Sequence, residues 1–292
     1  MTELYRLGAS LYIPTTRDDL VEIANGYKYP VLRSMIFCTE DAVGEHDLDW
    51  AITNLELKLG EFKCSGKLRF IRARNPSILS KLLSIQHINQ IDGFVLPKVT
   101  RGNVDDYLPL LAGTPFKIMI TLETREVFDP REMIAFRDLI LERNYQQNIL
   151  ALRIGGNDLM KLIGIRRPRD RTIYQTPIGY VIANLVTIFK PYGFNLTAPV
   201  FEYLNEMILL EEEIRQDLAY GLFGKTAIHP IQIPIIESFY SVRSQELDMA
   251  RSLLAPGAAA VFRMHDAMCE VATHTGWAEA TVRRAEIYGI GS

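Results

Sequence analysis

Residues 117–124 (Lys-Ile-Met-Ile-Thr-Leu-Glu-Thr) give the clearest indication of the fold. This stretch is short, nearly continuous in apolar character, and ends in a carboxylate. Such a run is typical of a parallel strand buried on both faces, because alternation with polar residues is expected only where one face meets water. Runs of the same kind recur seven more times, at residues 10–14, 32–38, 67–73, 93–98, 149–154, 195–201 and 225–229.

Amphipathic stretches with helical spacing lie between these runs, for example at residues 48–59, 129–143 and 203–220. Eight strands alternating with helices predict an α/β fold, the (β/α)8 TIM barrel. An open doubly wound sheet is the alternative. That fold usually has a glycine-rich turn after its first strand, whereas the first run here ends in Pro14-Thr15-Thr16.

The eight units account for residues 1–243, which we predict to be a catalytic barrel domain. Residues 244–292 follow a barrel that is already complete, and we predict that they form a helical arm. The arm carries too many apolar residues to be left in water. It therefore covers the helices of its own barrel or crosses to a neighbouring subunit.

Composition excludes several classes of protein. The 292 residues include 32 Lys and Arg against 35 Asp and Glu, which gives a net charge of −3. A nucleic-acid coat or a membrane-surface protein would need a basic excess. Three cysteines without a CxxC pair argue against a disulfide framework or a zinc ribbon. With neither a signal peptide nor an apolar stretch of membrane-spanning length, we predict a cytoplasmic protein.

Polar residues follow nearly every predicted strand. In a parallel barrel the carboxyl ends of the strands surround one mouth, where active sites lie. The sequence therefore predicts a site at this mouth, built from residues at successive strand ends: Glu40 and Asp41, Arg72 and Arg74, Lys98, Glu123, Asp158, Glu202 and His229.

Glu123 and Asp158 stand at neighbouring strand ends and are candidate Mg²⁺ ligands. Magnesium prefers oxygen ligands and takes few of them from the protein, since substrate and water complete its octahedron. Simpler interpretations also exist. Glu123 fits a surface carboxylate at a strand exit, and Asp158 fits the N-cap of a helix beginning at Leu159.

Basic residues at the mouth suggest how an anionic substrate is held. Arg72 and Arg74 are two apart, so they share a face if the strand continues, and one guanidinium can clamp a carboxylate with two hydrogen bonds. Lys98 fits an electrostatic anchor better than a Schiff-base lysine, which would duplicate the metal as an electron sink. His229 fits either a base or a structural residue.

Residues 166–171 (Arg-Arg-Pro-Arg-Asp-Arg) form a strongly charged loop after the sixth strand. One interpretation is a solvated loop. The other is a binding surface, through Arg166 and Arg169, for a phosphate or another polyanionic part of the substrate.

Six segments carry a family resemblance, and they occur in the family's order over roughly residues 10–270. They are 39–43 (TEDAV), 71–76 (IRARNP), 94–99 (FVLPKV), 120–124 (ITLET), 155–159 (GGNDL) and 224–233 (GKTAIHPIQI). The chain resembles the citrate lyase beta-subunit and malyl-CoA lyase family, a branch of the phosphoenolpyruvate/pyruvate barrel superfamily.

The resemblance implies a Mg²⁺-dependent carbon–carbon lyase acting next to a 2-oxo or 2-hydroxy acid. Glu123 and Asp158 match the family's metal carboxylates. The carboxylate-binding arginine matches Arg72 or Arg74, which both stay open, with Arg72 favoured.

The resemblance also assigns catalytic residues outside the metal pair. Glu40 and Asp41 match an acidic pair near the metal waters. A late aspartate, supplied in the family by a neighbouring subunit's arm, matches Asp266. This implies a homo-oligomer, for which a homotrimer is our first expectation.

The chain departs from the family pattern at its first strand, where Gly8 replaces an expected arginine, and we therefore expect weak or no coenzyme A binding. With the charged loop, this looks like a divergent branch found with tellurium-resistance-type gene clusters. We expect a small anionic substrate, phosphorylated or multiply charged. The alternatives are a citryl-CoA or malyl-CoA type lyase and a non-catalytic metabolite-binding barrel.

Overall fold

The eight apolar runs form one parallel sheet in the computed structural model, which describes residues 2–291. Their near-continuous burial explains the lack of alternation in the sequence, because both faces of each strand are covered. The strands are β1 (Ala9–Pro14), β2 (Ser34–Cys38), β3 (Leu68–Arg72), β4 (Gly93–Leu96), β5 (Lys117–Leu122), β6 (Ile149–Ile154), β7 (Leu196–Thr197) and β8 (Lys225–Ala227).

The sheet closes on itself. Its order is β7-β6-β5-β4-β3-β2-β1-β8, and a parallel bridge between Ala198 and Lys225 joins the two ends. The amide of Ala198 donates to the carbonyl of Gly224 at 2.8 Å across this seam. The predicted TIM barrel is confirmed, and the open doubly wound alternative is wrong.

Helices surround the ring and continue beyond it. They are α1 (Thr2–Tyr5), α2 (Leu20–Ala24), α3 (Leu48–Leu59), α4 (Pro76–Leu83), α5 (Val104–Leu111), α6 (Pro130–Glu142), α7 (Gly156–Leu162), α8 (Pro177–Phe189), α9 (Met207–Ala219), α10 (Ile233–Phe239), α11 (Ser244–Leu253) and α12 (Val271–Tyr288). Short 3₁₀ turns lie at Glu45–Asp47, Ile88–Gln90, Arg125–Phe128, Tyr145–Asn148, Ile173–Gln175, Lys190–Tyr192 and Pro230–Gln232.

Side-chain caps fix where two of these helices begin. The carboxylate of Asp129 accepts a hydrogen bond from the amide of Arg131, and Pro130 occupies the first turn of α6. The amide oxygen of Asn75 accepts from the amide of Ile78 at the start of α4. Such caps satisfy amides that have no partner inside the helix, and they fix the first residues of α4 and α6.

Several strands end earlier than their apolar runs. β4 stops at Leu96, because Pro97 has no amide hydrogen and Lys98 has a φ of 53°. β7 keeps only two residues of a predicted seven and is followed by Pro199, which has no amide hydrogen either. β3 ends at Arg72, so the condition under which Arg72 and Arg74 would share a face, a strand that continues past Arg72, is not met.

Residues 244–292 were predicted to form a helical arm. The structure shows that this C-terminal extension is not entirely helical. Between α11 and α12 lies an antiparallel hairpin of β10 (Val261–Met264) and β11 (Ala267–Glu270). The chain then returns to its own barrel, where β12 (Ile290–Gly291) pairs with β9 (Val242–Arg243). The hydroxyl of Tyr288 donates to the carbonyl of Tyr5 at 2.5 Å, which ties the end of α12 to α1.

The extension thus covers its own barrel with one end and leaves the hairpin outside. Met268 is 62% exposed and Trp277 is 42% exposed, although Leu253 and Cys269 are buried in a small separate core. No helix within residues 2–291 is both long and apolar enough to cross a membrane.

Candidate active site

Arg72 is the hub of a charged cluster in the barrel mouth. It is the last residue of β3, and its side chain is buried. Its Nη2 lies 2.8 Å from Oε2 of Glu40, 3.3 Å from Oδ2 of Asp41 and 3.2 Å from Oε1 of Glu123. The segments that follow β2, β3 and β5 therefore converge on one guanidinium, as the strand-end pattern predicted.

Lys98 closes the same cluster from the end of β4. Its Nζ forms ion pairs with Glu40 and, at 3.3 Å, with Oδ1 of Asp41. Burial lowers the pKa of Lys98, but the hydrogen bond and charge of Glu40 with the charge of Asp41 outweigh it and raise the pKa overall. An ammonium held this way stays protonated, which favours the electrostatic anchor over a Schiff-base lysine.

Glu40 and Asp41 behave as an unequal pair. Burial and the hydrogen bond to Asp41 raise the pKa of Glu40, although Arg72 and Lys98 oppose the shift. For Asp41, burial is outweighed by the hydrogen bond from Glu40 and by the charges of Arg72 and Lys98, so its pKa is lowered. Of the two carboxyl groups, Glu40 therefore holds a proton more readily than Asp41 does.

Glu123 is the most deeply placed carboxylate of the mouth. Its Oε1 accepts a hydrogen bond at 2.9 Å from the backbone amide of Lys98, whose left-handed φ of 53° accompanies this contact. Burial, with the charges of Asp158 and Glu40, raises the pKa of Glu123 to about 7, against the opposing charge of Arg72.

Asp158 lies beside Glu123 in the first turn of α7. The predicted N-cap role is wrong, because α7 begins at Gly156 and has Gly155 as its N-cap residue. Within residues 2–291 the Asp158 carboxylate takes part in neither a hydrogen bond nor an ion pair. It borders a cavity of about 300 Å³, together with Lys98, Glu123, Thr124, Arg125, Glu126, Lys161 and Leu162.

The donor set fits a hard divalent cation. Four carboxylates (Glu40, Asp41, Glu123 and Asp158) face two cationic side chains (Arg72 and Lys98), so the mouth has an excess of negative charge. The carboxylate of Asp158 has no partner within the described residues, and burial together with the charge of Asp158 raises the pKa of the neighbouring Glu123. No group of three or more His, Cys, Asp or Glu within residues 2–291 forms a metal cage. A pair of carboxylates is the smaller set that Mg²⁺ uses.

Arg74 points away from the mouth. Its guanidinium donates to the backbone carbonyls of Thr39 and Glu40 at 3.2 Å and of Val43 at 2.5 Å. The structure therefore gives Arg74 the task of holding the loop that presents Glu40 and Asp41. This placement disagrees with the predicted substrate contact and leaves Arg72 as the arginine that faces the site.

The arginines of residues 166–171 are all engaged with carboxylates. Arg166 pairs with Glu202 and Arg169 with Glu206, at 3.1 and 3.2 Å. Arg167 is fully buried against Glu213. The loop is thus neutralised by its own surroundings rather than presenting free cations, contrary to the prediction of a polyanion-binding surface at Arg166 and Arg169.

Two further predicted residues lie apart from the cluster. His229 is exposed, and its Nδ1 accepts from the amide of Ile231, which caps a 3₁₀ turn. Asp266 sits in the tight turn of the β10–β11 hairpin with a φ of 61°, is 90% exposed, and pairs with Arg263 at 2.5 Å. No described contact joins Asp266 to Arg72 or Glu123 of its own chain.

Sequence analysis missed two side chains that face the barrel interior. Tyr12 of β1 lies with its ring centroid 5.5 Å from the guanidinium of Arg72 and 5.6 Å from that of Arg153 in β6. The indication was present in the run Ile-Leu-Ala-Leu-Arg-Ile at residues 149–154, because an arginine inside a buried strand is costly without a partner.

The family follows from comparison with known proteins. The family model described as a C–C bond lyase of the TIM-barrel fold matches residues 1–290. The chain therefore belongs to this family of carbon–carbon bond lyases and is an enzyme. The predicted resemblance to citrate lyase beta subunits is confirmed at this level.

Relatives and solved structures agree with this assignment. The (3S)-malyl-CoA thioesterase of Cereibacter sphaeroides is 24% identical over 249 residues, which are 84% of this chain and 81% of the relative. Protein CitE from Mycobacterium tuberculosis, solved with magnesium, acetoacetate and coenzyme A, is similar with a TM-score of 0.70 at 20% identity, covering 96% of this chain and 99% of that one. A citrate lyase from Burkholderia xenovorans LB400 has a TM-score of 0.73 at 15% identity, covering 98% and 93%.

Proposed function

We propose that this enzyme is a Mg²⁺-dependent lyase that cleaves or forms a carbon–carbon bond next to a 2-oxo or 2-hydroxy acid. One observation carries the proposal. The unpartnered carboxylate of Asp158 lies beside Glu123, and Glu123 in turn contacts the buried guanidinium of Arg72. A cation site and a carboxylate clamp are therefore adjacent, as a chelated 2-oxo acid requires.

Glu123 and Asp158 are the residues that would hold the magnesium ion. When bound, such an ion acts as a Lewis acid that polarises a ligated oxygen and stabilises negative charge on it. The CitE structure named above contains magnesium together with a small acid, which supports the same pairing here.

Arg72 would bind the substrate carboxylate. Its Nε is buried and has no hydrogen-bond acceptor within the described residues, so one donor of the guanidinium remains available. A buried donor without an acceptor is costly, and a carboxylate oxygen from the substrate would remove that cost. The face of Tyr12 fixes the guanidinium from one side.

Arg72 and Lys98 also supply positive charge where the reaction develops negative charge. As the carbon–carbon bond breaks, electrons move onto the oxygen of the departing enolate. Preorganised cations in a partly buried site stabilise that charge without reorganisation, which is a large contribution to catalysis. We propose Glu40, which contacts both cations, as the group that exchanges a proton with the substrate.

Asp266 is a further proposed catalytic residue, and we propose that it reaches the active site of a neighbouring subunit. Large apolar side chains ring the mouth on one side and are exposed in the segments after β6, β7 and β8: Leu162, Ile163, Ile165, Leu204, Ile208, Ile228 and Ile231. The hairpin that carries Asp266 exposes Val261 and Met268 as well. A second copy that lays its hairpin over this rim would bury both surfaces, and a cyclic homotrimer closes such an exchange.

The two candidate functions differ in the part of the substrate that lies away from the reacting carbon–carbon bond. We propose a small anionic substrate, carboxylated or phosphorylated, without coenzyme A. In the sequence, the lack of an arginine at Gly8 argued against coenzyme A binding. The structure weakens that argument, because Gly8 precedes β1 and lies at the end of the barrel opposite the mouth. The second candidate, a coenzyme A thioester lyase, is favoured by the names of the relatives. The three free cysteines support a cytoplasmic location for either.

The test is whether the enzyme cleaves members of a panel of 2-oxo acids, 2-hydroxy acids and their coenzyme A thioesters. NMR monitors the reaction, with either Mg²⁺ or a chelator present. Wild type should cleave at least one small acid only when Mg²⁺ is present, and Glu123→Gln should not. Cleavage of thioesters alone would favour the second candidate. Turnover that survives the chelator, or binding of the acids without cleavage, would contradict the proposed reaction.

A further inference from the structure

Arg153 is a cation buried inside the barrel without a carboxylate. Its side chain contacts Tyr12 of β1, Met119 of β5 and Thr226 of β8, so it projects into the barrel interior from β6. It is only 3% exposed. Its hydrogen-bond partners within the described residues are the hydroxyl of Thr226 and, at 3.8 Å, the sulfur of Met119. Neither partner carries a negative charge.

Two unpartnered hydroxyls flank this arginine. Thr121 on β5 and Thr197 on β7 are the direct register partners of Arg153, so the three side chains share the inner face of the sheet. Thr121 is 4% exposed, Thr197 is 1% exposed, and neither hydroxyl oxygen has a hydrogen-bond partner in the part of the chain that the structure describes. Buried polar groups in native proteins are nearly always paired, so two unpaired hydroxyls beside a buried cation that has no carboxylate need an explanation.

A bound anion would explain all three groups together. A guanidinium offers five donors in a planar fork, and each hydroxyl adds one donor. A carboxylate placed among Arg153, Thr121 and Thr197 would satisfy the hydroxyls and neutralise the cation. Without an anion, the protein would bear the cost of a buried charge with weak neutral partners.

The ring of Tyr12 connects this group to the proposed active site. Arg72 and Arg153 lie at similar distances, 5.5 and 5.6 Å, from the centroid of that ring. Both guanidinium groups therefore contact the same aromatic ring on the inner side of the mouth, and a substrate would have to extend past this ring to reach both.

We propose that Arg153, Thr121 and Thr197 form a second anion-binding subsite, which takes the distal carboxylate of a short dicarboxylate substrate. The inference rests on the proposed function, because Arg72 holds the first carboxylate. It narrows the substrate to 2-oxo or 2-hydroxy acids with a second carboxylate a few carbons away.

Three 2-hydroxy acids that differ at the far end test the subsite by titration calorimetry with Mg²⁺ present. Lactate has no distal acid, malate has a distal carboxylate, and 3-phosphoglycerate has a distal phosphate. Wild type should bind malate about tenfold or more tighter than lactate, as expected for hydrogen bonds to a charged group. Arg153→Met should reduce the affinity for malate to the affinity for lactate. Arg137→Met removes another buried guanidinium, on α6 over the ring of Tyr192, and should leave the malate preference intact.

The variants Thr121→Val and Thr197→Val separate binding from folding. Replacing an unpartnered buried hydroxyl by a methyl group should leave the fold intact or stabilise it. A structural role therefore predicts no change in binding, whereas the proposed subsite predicts weaker malate binding with lactate binding retained. These two variants decide the question if Arg153→Met does not fold.

Each outcome bears on one of the two proposals. Equal binding of malate and lactate by wild type, or a malate preference that survives Arg153→Met and both valine variants, overturns the subsite. A gain for 3-phosphoglycerate alone overturns its assignment to a carboxylate. If lactate binding does not depend on Arg72, the proposed function fails and the subsite with it. If lactate binding depends on Arg72 and wild type binds malate no more tightly than lactate, only the subsite fails.

Discussion

Gly155 and Glu123 approach each other so closely that only a glycine fits between β6 and α7. A Cβ built on Gly155 would lie 2.4 Å from Cβ of Glu123 and 2.7 Å from its Oε2. Real Cβ atoms do not make such contacts, so one of the two groups would have to move. The glycine therefore gives Glu123 the space to turn its carboxylate into the mouth beside Asp158.

Gly155→Ala should consequently weaken Mg²⁺ binding although position 155 offers no ligand. We expect the new methyl group to displace Glu123 and to lower the free energy of unfolding by about 1–3 kcal/mol, as overpacking does. Calorimetric Mg²⁺ titration and denaturant unfolding measure the two effects. The matched control is Gly276→Ala in α12, where an added Cβ meets nothing within 4 Å. Native Mg²⁺ affinity in Gly155→Ala would show that Glu123 is not a ligand or is not displaced.

The metal assignment predicts that Asp158→Asn loses Mg²⁺ binding while the barrel stays folded. Asp158 makes no hydrogen bond or ion pair within the described residues, so its neutralisation removes a ligand and no structural contact. Removing one like charge beside Glu123 should leave stability unchanged or slightly higher. Glu126→Gln, on the wall of the same cavity, is the control and should bind Mg²⁺ normally. Equal affinities in the two variants would refute the assignment.

Arg72→Lys should lower kcat/KM by a factor that corresponds to about 2–3 kcal/mol. Lysine keeps the charge but loses the planar fork, including the Nε donor that has no acceptor within the described residues. Arg74→Lys should instead act on the loop after β2, because Arg74 contacts only backbone carbonyls there. We expect a loss of stability with a smaller loss of activity. Steady-state kinetics and unfolding of both variants distinguish the roles, and the reverse order would exchange them.

The strands and the charged mouth could be predicted from the sequence because both depend on local composition. A strand buried on both faces must be apolar, and the residue after it must be at the mouth. Glu40, Asp41, Arg72, Lys98 and Glu123 converge for this reason alone. Their order along the chain is their order around the ring.

Interactions between distant segments could not be predicted in the same way. The pairing of Arg166 with Glu202 and of Arg169 with Glu206 depends on how two loops fold over each other. A charged run in the sequence does not show which carboxylates neutralise it. Arg74 was misassigned for a similar reason, because β3 stops at Arg72 and the alternation of faces stops with it.

A buried charge network outside the mouth predicts a pH effect on stability. Asp217 is buried against Lys225 at 2.8 Å and accepts a hydrogen bond from Tyr174. Burial, opposed by Lys225 and reinforced by Glu213, raises the pKa of Asp217 from 3.8 to about 6. Between these values the folded protein binds more protons than the unfolded chain, so the contribution of Asp217 to stability falls as pH rises.

Asp217→Asn should remove this titration. The difference in free energy of unfolding between wild type and Asp217→Asn should decrease as pH rises from about 4 to about 6 and stay constant above, as the raised pKa requires. Urea unfolding across this range measures it. Asp18→Asn, which removes an exposed carboxylate instead of a buried one, is the control for the loss of one negative charge. A difference that grows with pH would mean that the pKa of Asp217 is lowered in the folded protein.

Asp266 provides the test of assembly, because it lies in the exposed hairpin turn while the other proposed catalytic residues lie in the mouth. If the hairpin completes a neighbour's site, Asp266→Ala and Glu123→Ala subunits should each be inactive alone and partly active when mixed. Some sites in a mixed oligomer then combine an intact Glu123 from one chain with an intact Asp266 from another.

Met268→Asp should weaken assembly and activity together, since it places a charge on the apolar hairpin surface. Leu57→Asp serves as the control, because Leu57 is equally exposed but lies on α3, outside both the hairpin and the apolar rim. Sedimentation gives the oligomeric state and kinetics give the complementation. A fully active monomer, or mixed oligomers that form without regaining activity, would contradict the exchange of hairpins.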